Sequence, residues 1–268
     1  SSGMQELDLN SLLDKAINAS IKAGDEIMKI YDSSFKVETK EDNSPLTIAD
    51  KNSNAIIEKA LAISKIPLLS EEGKHIKYSE RKEWDYLWIV DPLDGTKEFI
   101  KKNGEFTVNI ALVKKQKPIL GVIYVPCTNE LYYALEGLGA FKATIDGLYN
   151  GIKSLLNNSS KLPINQNRSN YILVGSRSHM SKETQKYFDQ KNKEYDSVEV
   201  LAVGSSLKIC MVAEGKADSY PRYAPTMEWD TAAGHAIANM AGFKIIEYNS
   251  SNEIVYNKEE LLNPWFLV

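Results

Sequence analysis

The sequence predicts a mixed α/β protein in which two α/β layers share a cleft. Three observations predict it. Apolar residues recur at helical spacing as far as Ile63, the period changes to that of a sheet from Trp84, and strands alternate with helices beyond Asn170.

The first helix is carried by Leu13, Ala16, Ile17, Ile21, Gly24, Ile27, Met28 and Tyr31, an apolar stripe on a polar segment. Lys40 to Ser44 reads as a charged loop. Pro45 and Asp50 lead into a second helix through Ile56, Ile57, Ala60 and Ile63, stopped by Pro67, with Asp50 expected in its first turn. Leu68-Leu69-Ser70 is a short strand ending at Glu71-Glu72. Residues 87–90, 106–113, 119–125 and 131–135 form an antiparallel meander. Between Lys142 and Asn170 the chain becomes rich in Asn, Ser and Lys, which places a division between residues 4–145 and 146–268. Ser1-Ser2-Gly3 reads as a tag remnant and stays outside the fold. Beyond the division the pattern predicts strands at 171–174, 198–201 and 217–220, and helices at 182–191, 205–213 and 231–240. Gly242 suits a left-handed stop to the last helix.

Composition narrows the function. The 268 residues are 43% hydrophobic and 25% charged, as in an ordinary protein with a sizeable core. A net charge of −4 without a basic block argues against a nucleic-acid polymer as partner. No apolar run has the length of a membrane span, and no signal peptide is read before the first helix. Cys127 and Cys210 have no C-x-x-C or histidine companion and read as reduced core thiols of a cytosolic protein.

The chemistry concentrates in Asp91-Pro92-Leu93-Asp94-Gly95-Thr96, which follows the apolar run Leu87-Trp88-Ile89-Val90. A carboxylate at the end of a buried strand is costly unless its charge is compensated. With the backbone turning at Pro92, both carboxylates and the Leu93 carbonyl can face one point. Gly95-Thr96 opens a short helix whose N–H groups attract phosphate. Glu71-Glu72 ends another short strand in the same way. Asp230, in Glu228-Trp229-Asp230-Thr231-Ala232-Ala233-Gly234, stands where a helix N-cap belongs, a role that contributes about 1 kcal/mol. The small residues behind it allow a close approach by backbone or ligand. If these acids converge, unit charges about 4 Å apart cost on the order of 4 kcal/mol per pair at an effective dielectric of 20. That exceeds what turn and cap roles return. Convergence therefore requires divalent cations, and all-oxygen ligands favour Mg²⁺ over zinc or copper.

These residues resemble the signatures of the inositol monophosphatase-like family of Mg²⁺-dependent, Li⁺-sensitive sugar phosphatases. Val90 to Thr96 with Phe99 is similar to the first signature, Trp229 to Gly234 to the second, and Glu71-Glu72 to the strand-end acid pair. Within the family the chain looks like the bacterial 3′(2′),5′-bisphosphate nucleotidase branch. Ser44-Pro45-Leu46-Thr47, the stretch from Gly95 to Asn109, Ser176-Arg177-Ser178-His179, Gly204 to Lys208, Ala213-Glu214-Gly215 and Tyr220-Pro221-Arg222 carry that likeness. Residues 142–168 fall outside it.

The resemblance implies a layered αβαβα sugar-phosphatase fold with two subdomains sharing a metal cleft. It implies one Mg²⁺ on Glu71, Asp91 and the Leu93 carbonyl, and a second on Asp91, Asp94 and Asp230. Asp50 would hold a weaker third ion or pair with Thr96 to take a proton from the attacking water. Gly95 and Thr96 would hold the scissile phosphate; His179, Ser205, Lys208 and Arg222 would bind the nucleotide and its second phosphate. Ser205, expected to start a helix, and Lys208, one turn on, suit an anion on physical grounds as well. His75 and His235 read as structural. The implied reaction is hydrolysis of the 3′-phosphate of adenosine 3′,5′-bisphosphate to AMP and phosphate, by a monomer or homodimer in the cytoplasm, or at the inner-membrane surface as in some relatives. Rival substrates are inositol monophosphate and fructose 1,6-bisphosphate. A haloacid-dehalogenase-type phosphatase is a further rival, although the spacing of its D-x-D motif is one residue shorter, and a non-catalytic nucleotide sensor is the alternative outside catalysis.

Overall fold

The computed structural model describes residues 7–33, 44–164, 167–176 and 180–268. Most of the loop expected at 40–44, and His179, lie outside these residues.

Helix α1 (Leu9–Tyr31) starts at Asp8, whose side chain accepts from the Ser11 N–H at 3.1 Å. Helix α2 (Pro45–Leu61) starts at Ser44, which accepts from the Thr47 N–H at 3.1 Å, with Pro45 on the first turn where its missing N–H is not needed. Asp50 therefore falls in the second turn, not the first, and is fully buried. A 3₁₀ turn (Ala62–Ser64) precedes β1 (Leu68–Ser70) and the one-turn α3 (Tyr78–Arg81). Then come β2 (Tyr86–Asp94), α4 (Thr96–Lys101), β3 (Thr107–Lys114), β4 (Lys117–Val125), β5 (Glu130–Leu135) and β6 (Gly139–Thr144). After α5 (Ile152–Asn157), β7 (Ser160–Lys161) returns to the same sheet.

Strands β1 to β7 pair in chain order; β1 is parallel to β2 and every later neighbour is antiparallel. Alternate residues of β2 enter different cores. Trp88 and Val90 join α1 and α2 on one face, while Leu87 and Ile89 join the C-terminal helices on the other. Burial on both faces is why these strands read as unbroken apolar runs. The chain continues through β8 (Tyr171–Val174), α6 (Lys182–Glu194), β9 (Val198–Leu201), α7 (Leu207–Glu214), β10 (Pro221–Arg222), α8 (Glu228–Met240), β11 (Ile246–Glu247) and β12 (Phe266–Leu267), with α7 and α8 supplying the second helical layer. β8 and β9 pair in parallel, β10, β12 and β11 form a small sheet, and α6 packs on β9 and β10. This is the layered α/β architecture expected from the sequence.

Several elements differ from expectation. Helix α7 begins at Leu207, after Ser206, and Ser205 lies outside it in the left-handed region at φ 51°. Among the described residues, 217–220 pair with β8 through one bridge, Leu173 to Ser219, flanked by the bonds from the Asp218 N–H to the Ile172 carbonyl and from the Val174 N–H to the Ser219 carbonyl, both 2.8 Å. The Asn- and Ser-rich stretch after Lys142 holds α5 and β7, too short and too polar to carry a periodic signal. The small residues after Asp230 serve a backbone approach. A Cβ on Gly121 of β4 would stand 2.3 Å from the Ala233 carbonyl oxygen, so α8 can lie this close to the sheet only over glycine. Cys210 is buried, Cys127 is half-buried, and both are free thiols. His235 is buried against Tyr256 and Glu253.

Candidate active site

Because β1 and β2 are parallel, with Ser70 beside Val90, the residues that follow leave from the same end of the sheet. The Glu71 N–H still reaches the Val90 carbonyl, which sets Glu71 next to Asp91. On a regular strand Asp91 and Asp94, three apart, would point to opposite faces. The register prevents this: Asp91 stands opposite Asn109 and Asp94 opposite Thr107, so β2 carries one extra residue between them. A bulge of that kind re-aims a side chain, and here it brings both carboxylates to one side. Ser53 fixes the bulge by donating to the Pro92 carbonyl at 2.7 Å, and the buried Leu93 donates its N–H to Asp91 Oδ1 at 3.3 Å.

Asp230 arrives from the other half of the chain. It is the third residue of α8, not the N-cap; its Oδ2 accepts the Met227 N–H at 2.8 Å, closing the first turn. One oxygen each of Asp91, Asp94 and Asp230 lie within 4.8 Å of one another. A second group at the same spacing joins Asp50, Glu71 and Glu72, and Glu71 also hydrogen-bonds Asp91, which links the two. Thus all five acids singled out in the sequence meet, and Glu72 joins them.

The electrostatics are those of a cluster short of cations. Burial, then Asp94, Glu71 and Asp230, pushes the Asp91 carboxyl well above the usual range. Burial and Asp230 raise Asp94 to about 7, against the pull of Ser206, Lys208 and Asn109. Asp230 is raised by burial, offset in part by the Met227 N–H, by Asp91, and by Arg222 and Lys208. A donor set of crowded carboxylate oxygens fits a hard divalent cation.

Gly95 stands between β2 and α4 at φ 94°, and a Cβ there would sit 3.0 Å from that of Ser205. Glycine is required both by the conformation and by the crowding. Thr96, half-buried, opens α4, which packs against the helix holding Asp50. Beside them is a cavity of about 120 Å³, lined by Asp94, Ser205, Lys208, Tyr220, Arg222 and Asp230. A second cavity of about 160 Å³, with Ser176, Met180, Val203 and Tyr223 on its walls, shares Lys208, Tyr220 and Arg222 with the first. The basic pair therefore divides two adjoining spaces. Burial and Arg222 lower the Lys208 pKa, while Asp94, Glu98 and Asp230 hold it up. Ser205 donates its hydroxyl to the Glu105 carbonyl at 2.6 Å.

Sequence reasoning assigned no site role to Ser206, Asn109 or Glu72. Glu72 was visible only as half of an acid pair. Asn109 had a signal: Thr107 and Asn109 are polar at alternate positions of an otherwise apolar strand, on the side that meets Asp94. Ser206 had none beyond its place in the Gly204-Ser205-Ser206 run.

Residues 8–265 match the inositol monophosphatase family, and the chain belongs to it. The haloacid-dehalogenase alternative is thereby excluded. Among individual relatives, the 3′(2′),5′-bisphosphate nucleotidase CysQ of Shigella flexneri is 42% identical over 261 residues, 96% of this chain and 99% of that one. The protein of the same name from Haemophilus influenzae is 36% identical, covering 98% of this chain and 94% of its own. The crystal structure of CysQ from Bacteroides thetaiotaomicron, a bacterial member of the family, has a TM-score of 0.92 at 50% identity, with 98% of each chain covered. Inositol monophosphatase-II from Staphylococcus aureus, at 21% identity and a TM-score of 0.71 over 96% of this chain and 90% of that one, shares the fold.

Proposed function

We propose that this protein is a Mg²⁺-dependent 3′(2′),5′-bisphosphate nucleotidase that hydrolyses the 3′-phosphate of adenosine 3′,5′-bisphosphate to AMP and phosphate. The observation that carries the reading is the meeting of Asp91, Asp94 and Asp230 within 4.8 Å beside a cavity that also holds Lys208 and Arg222. An acid cluster for cations thus adjoins a basic wall for an anion. Near-full-length similarity to the CysQ nucleotidases supports the same substrate.

In this reading Glu71, Asp91 and the Leu93 carbonyl hold one Mg²⁺, and Asp91, Asp94 and Asp230 the second, with Asp50 at a weaker third position. Bound there, the ions supply charge neutralisation at the phosphoryl oxygens and a lowered pKa for water. Gly95 and Thr96 receive the scissile phosphate. Where no third ion is held, Asp50 would instead pair with Thr96 to take the proton from the attacking water. Lys208 and Arg222 bind the second phosphate from the wall shared by the two cavities, with Ser205 and His179 as further nucleotide contacts. Residues 4–145 contribute most of the cation ligands, and 146–268 contribute Asp230 and the nucleotide contacts. Phosphate monoesters hydrolyse so slowly unaided that accelerations up to ~10²¹ are known; preorganised charge is the largest contribution a site of this kind can make. Lithium sensitivity is part of the proposal. Among the described residues no helix is long and apolar enough to cross a membrane.

The test is phosphate release under Mg²⁺ from adenosine 3′,5′-bisphosphate, inositol monophosphate and fructose 1,6-bisphosphate. The nucleotide should be preferred by kcat/KM at least about a hundredfold, the worth of one well-placed charged contact. Preference for inositol monophosphate would replace this reading with the monophosphatase one. Tight nucleotide binding with no release from any substrate would point to a sensor.

A further inference from the structure

Three carboxylates with oxygens within 4.8 Å of one another repel when ionised, so something other than the cations must set their positions before cations arrive. Ser206 is placed to do this. Its Oγ lies 2.5 Å from Asp94 Oδ2 and 3.0 Å from the Asp230 backbone carbonyl, so one hydroxyl adjoins both halves of the cluster. Behind it, Asn109 Nδ2 donates to Ser206 Oγ at 2.6 Å and to Asp94 Oδ2 at 3.3 Å. Thr107 Oγ1 in turn donates to Asn109 Oδ1 at 2.8 Å, which fixes the amide. Thr107, Asn109 and Ser206 are all buried, at 0%, 1% and 3% exposure, so the chain of donors does not compete with water.

A further feature says that this hydroxyl is diverted from an ordinary role. Ser206 occupies the N-cap position of α7 yet makes no capping hydrogen bond. A serine at that position normally accepts a backbone N–H from the first turn. The preceding Ser205 is held in the left-handed region at φ 51°, pinned by its hydroxyl on the Glu105 carbonyl at 2.6 Å. Gly204 N–H is held by Glu105 Oε1 at 3.0 Å.

We propose that Ser206, oriented by Asn109, is a positioning residue that sets Asp94 relative to Asp230 for cation binding. The inference rests on the acid cluster being the cation site. Groups that orient a ligand from behind change metal affinity by about 10- to 100-fold when removed. Equilibrium binding of Mn²⁺ alone, followed by electron paramagnetic resonance of the free ion, tests it without any turnover. Ser206→Ala should weaken Mn²⁺ binding at least about tenfold, and Ser206→Thr, which keeps the hydroxyl, should restore most of it. In turnover assays at saturating Mg²⁺, Ser206→Ala should lower kcat while leaving KM for the nucleotide nearly unchanged. Mn²⁺ binding by Ser206→Ala equal to the wild type overturns the proposal. So does equal loss in the Ala and Thr variants, which would make size rather than the hydroxyl the determinant. Asp94→Asn, run in parallel, separates the levels: if it also binds Mn²⁺ as the wild type does, the cation site itself is elsewhere.

Discussion

The two walls of the cavity beside Asp94 respond to burial in opposite directions. On the acidic wall, loss of water raises Asp94 and Asp230, as it does the neighbouring Asp91, which each surrounding acid raises further. On the basic wall, the same loss of water lowers Lys208, with Arg222 adding to the effect and the acids opposing it. Neither wall is content alone. The acids need more positive charge than Lys208 and Arg222 provide, and the basic pair, facing two cavities, can still take an anion. A divalent cation together with a phosphate satisfies both, which is why the pairing of the walls, more than either one, defines the chemistry.

The acidic wall gives the largest expected effect. Asp94→Asn should lower kcat at least about a thousandfold, the scale of a lost transition-state electrostatic contact, with the circular dichroism spectrum retained. Activity within tenfold of the wild type would remove Asp94 from the site. On the basic wall the effect should be smaller and selective. Lys208→Ala should raise KM for adenosine 3′,5′-bisphosphate about 10- to 100-fold, the value of one charge-assisted contact, and change KM for a single-phosphate substrate only slightly. Equal effects on both would make the lysine a general electrostatic element and dissolve the contrast between the walls.

The legibility of the two walls from sequence differed for physical reasons. The acids were readable because Glu71 and Asp91 follow apolar runs, Asp50 and Asp230 lie near helix starts, and Asp91, Asp94 and Thr96 are close in the chain. What brings Asp91 and Asp94 to one face, however, is a bulge whose extra residue is defined only by pairing with Asn109 and Thr107 on another strand. The helix starts were misplaced by a few residues for a similar reason. Asp230 looked like a cap and is the third residue of α8, because Asp side chains serve either position. Ser205 looked like a helix start, but its φ of 51° is imposed by contacts with Glu105, distant in sequence. The Thr107–Asn109–Ser206 chain was invisible because it exists only when β3 and α7 meet. The meander from β2 to β5 was plain, since turns interrupt long apolar runs, whereas β6, α5 and β7 lack such contrast.

The smallest predicted effect sharpens the acidic side. Asp94 has a carboxyl raised from 3.8 to about 7 in the folded protein. A raised pKa means that the folded state holds the proton more tightly than the unfolded one. Its stabilising contribution is complete below the unfolded value and is lost as pH rises through the folded one. The melting temperature of the metal-free protein should therefore fall between about pH 4 and pH 7 from this group. Added Mg²⁺ should reverse the fall, because it binds the ionised cluster. A Mg²⁺-independent melting temperature across that range would leave the cluster without a cation.

A crystal soaked with Mn²⁺ and AMP, with anomalous scattering collected to locate the ions, addresses the shared pocket most directly. Anomalous peaks should fall between Asp91, Asp94 and Asp230 and beside Glu71, with the nucleotide phosphate against Lys208 and Arg222. Peaks confined to surface acids, with nothing among Asp91, Asp94 and Asp230, would contradict it.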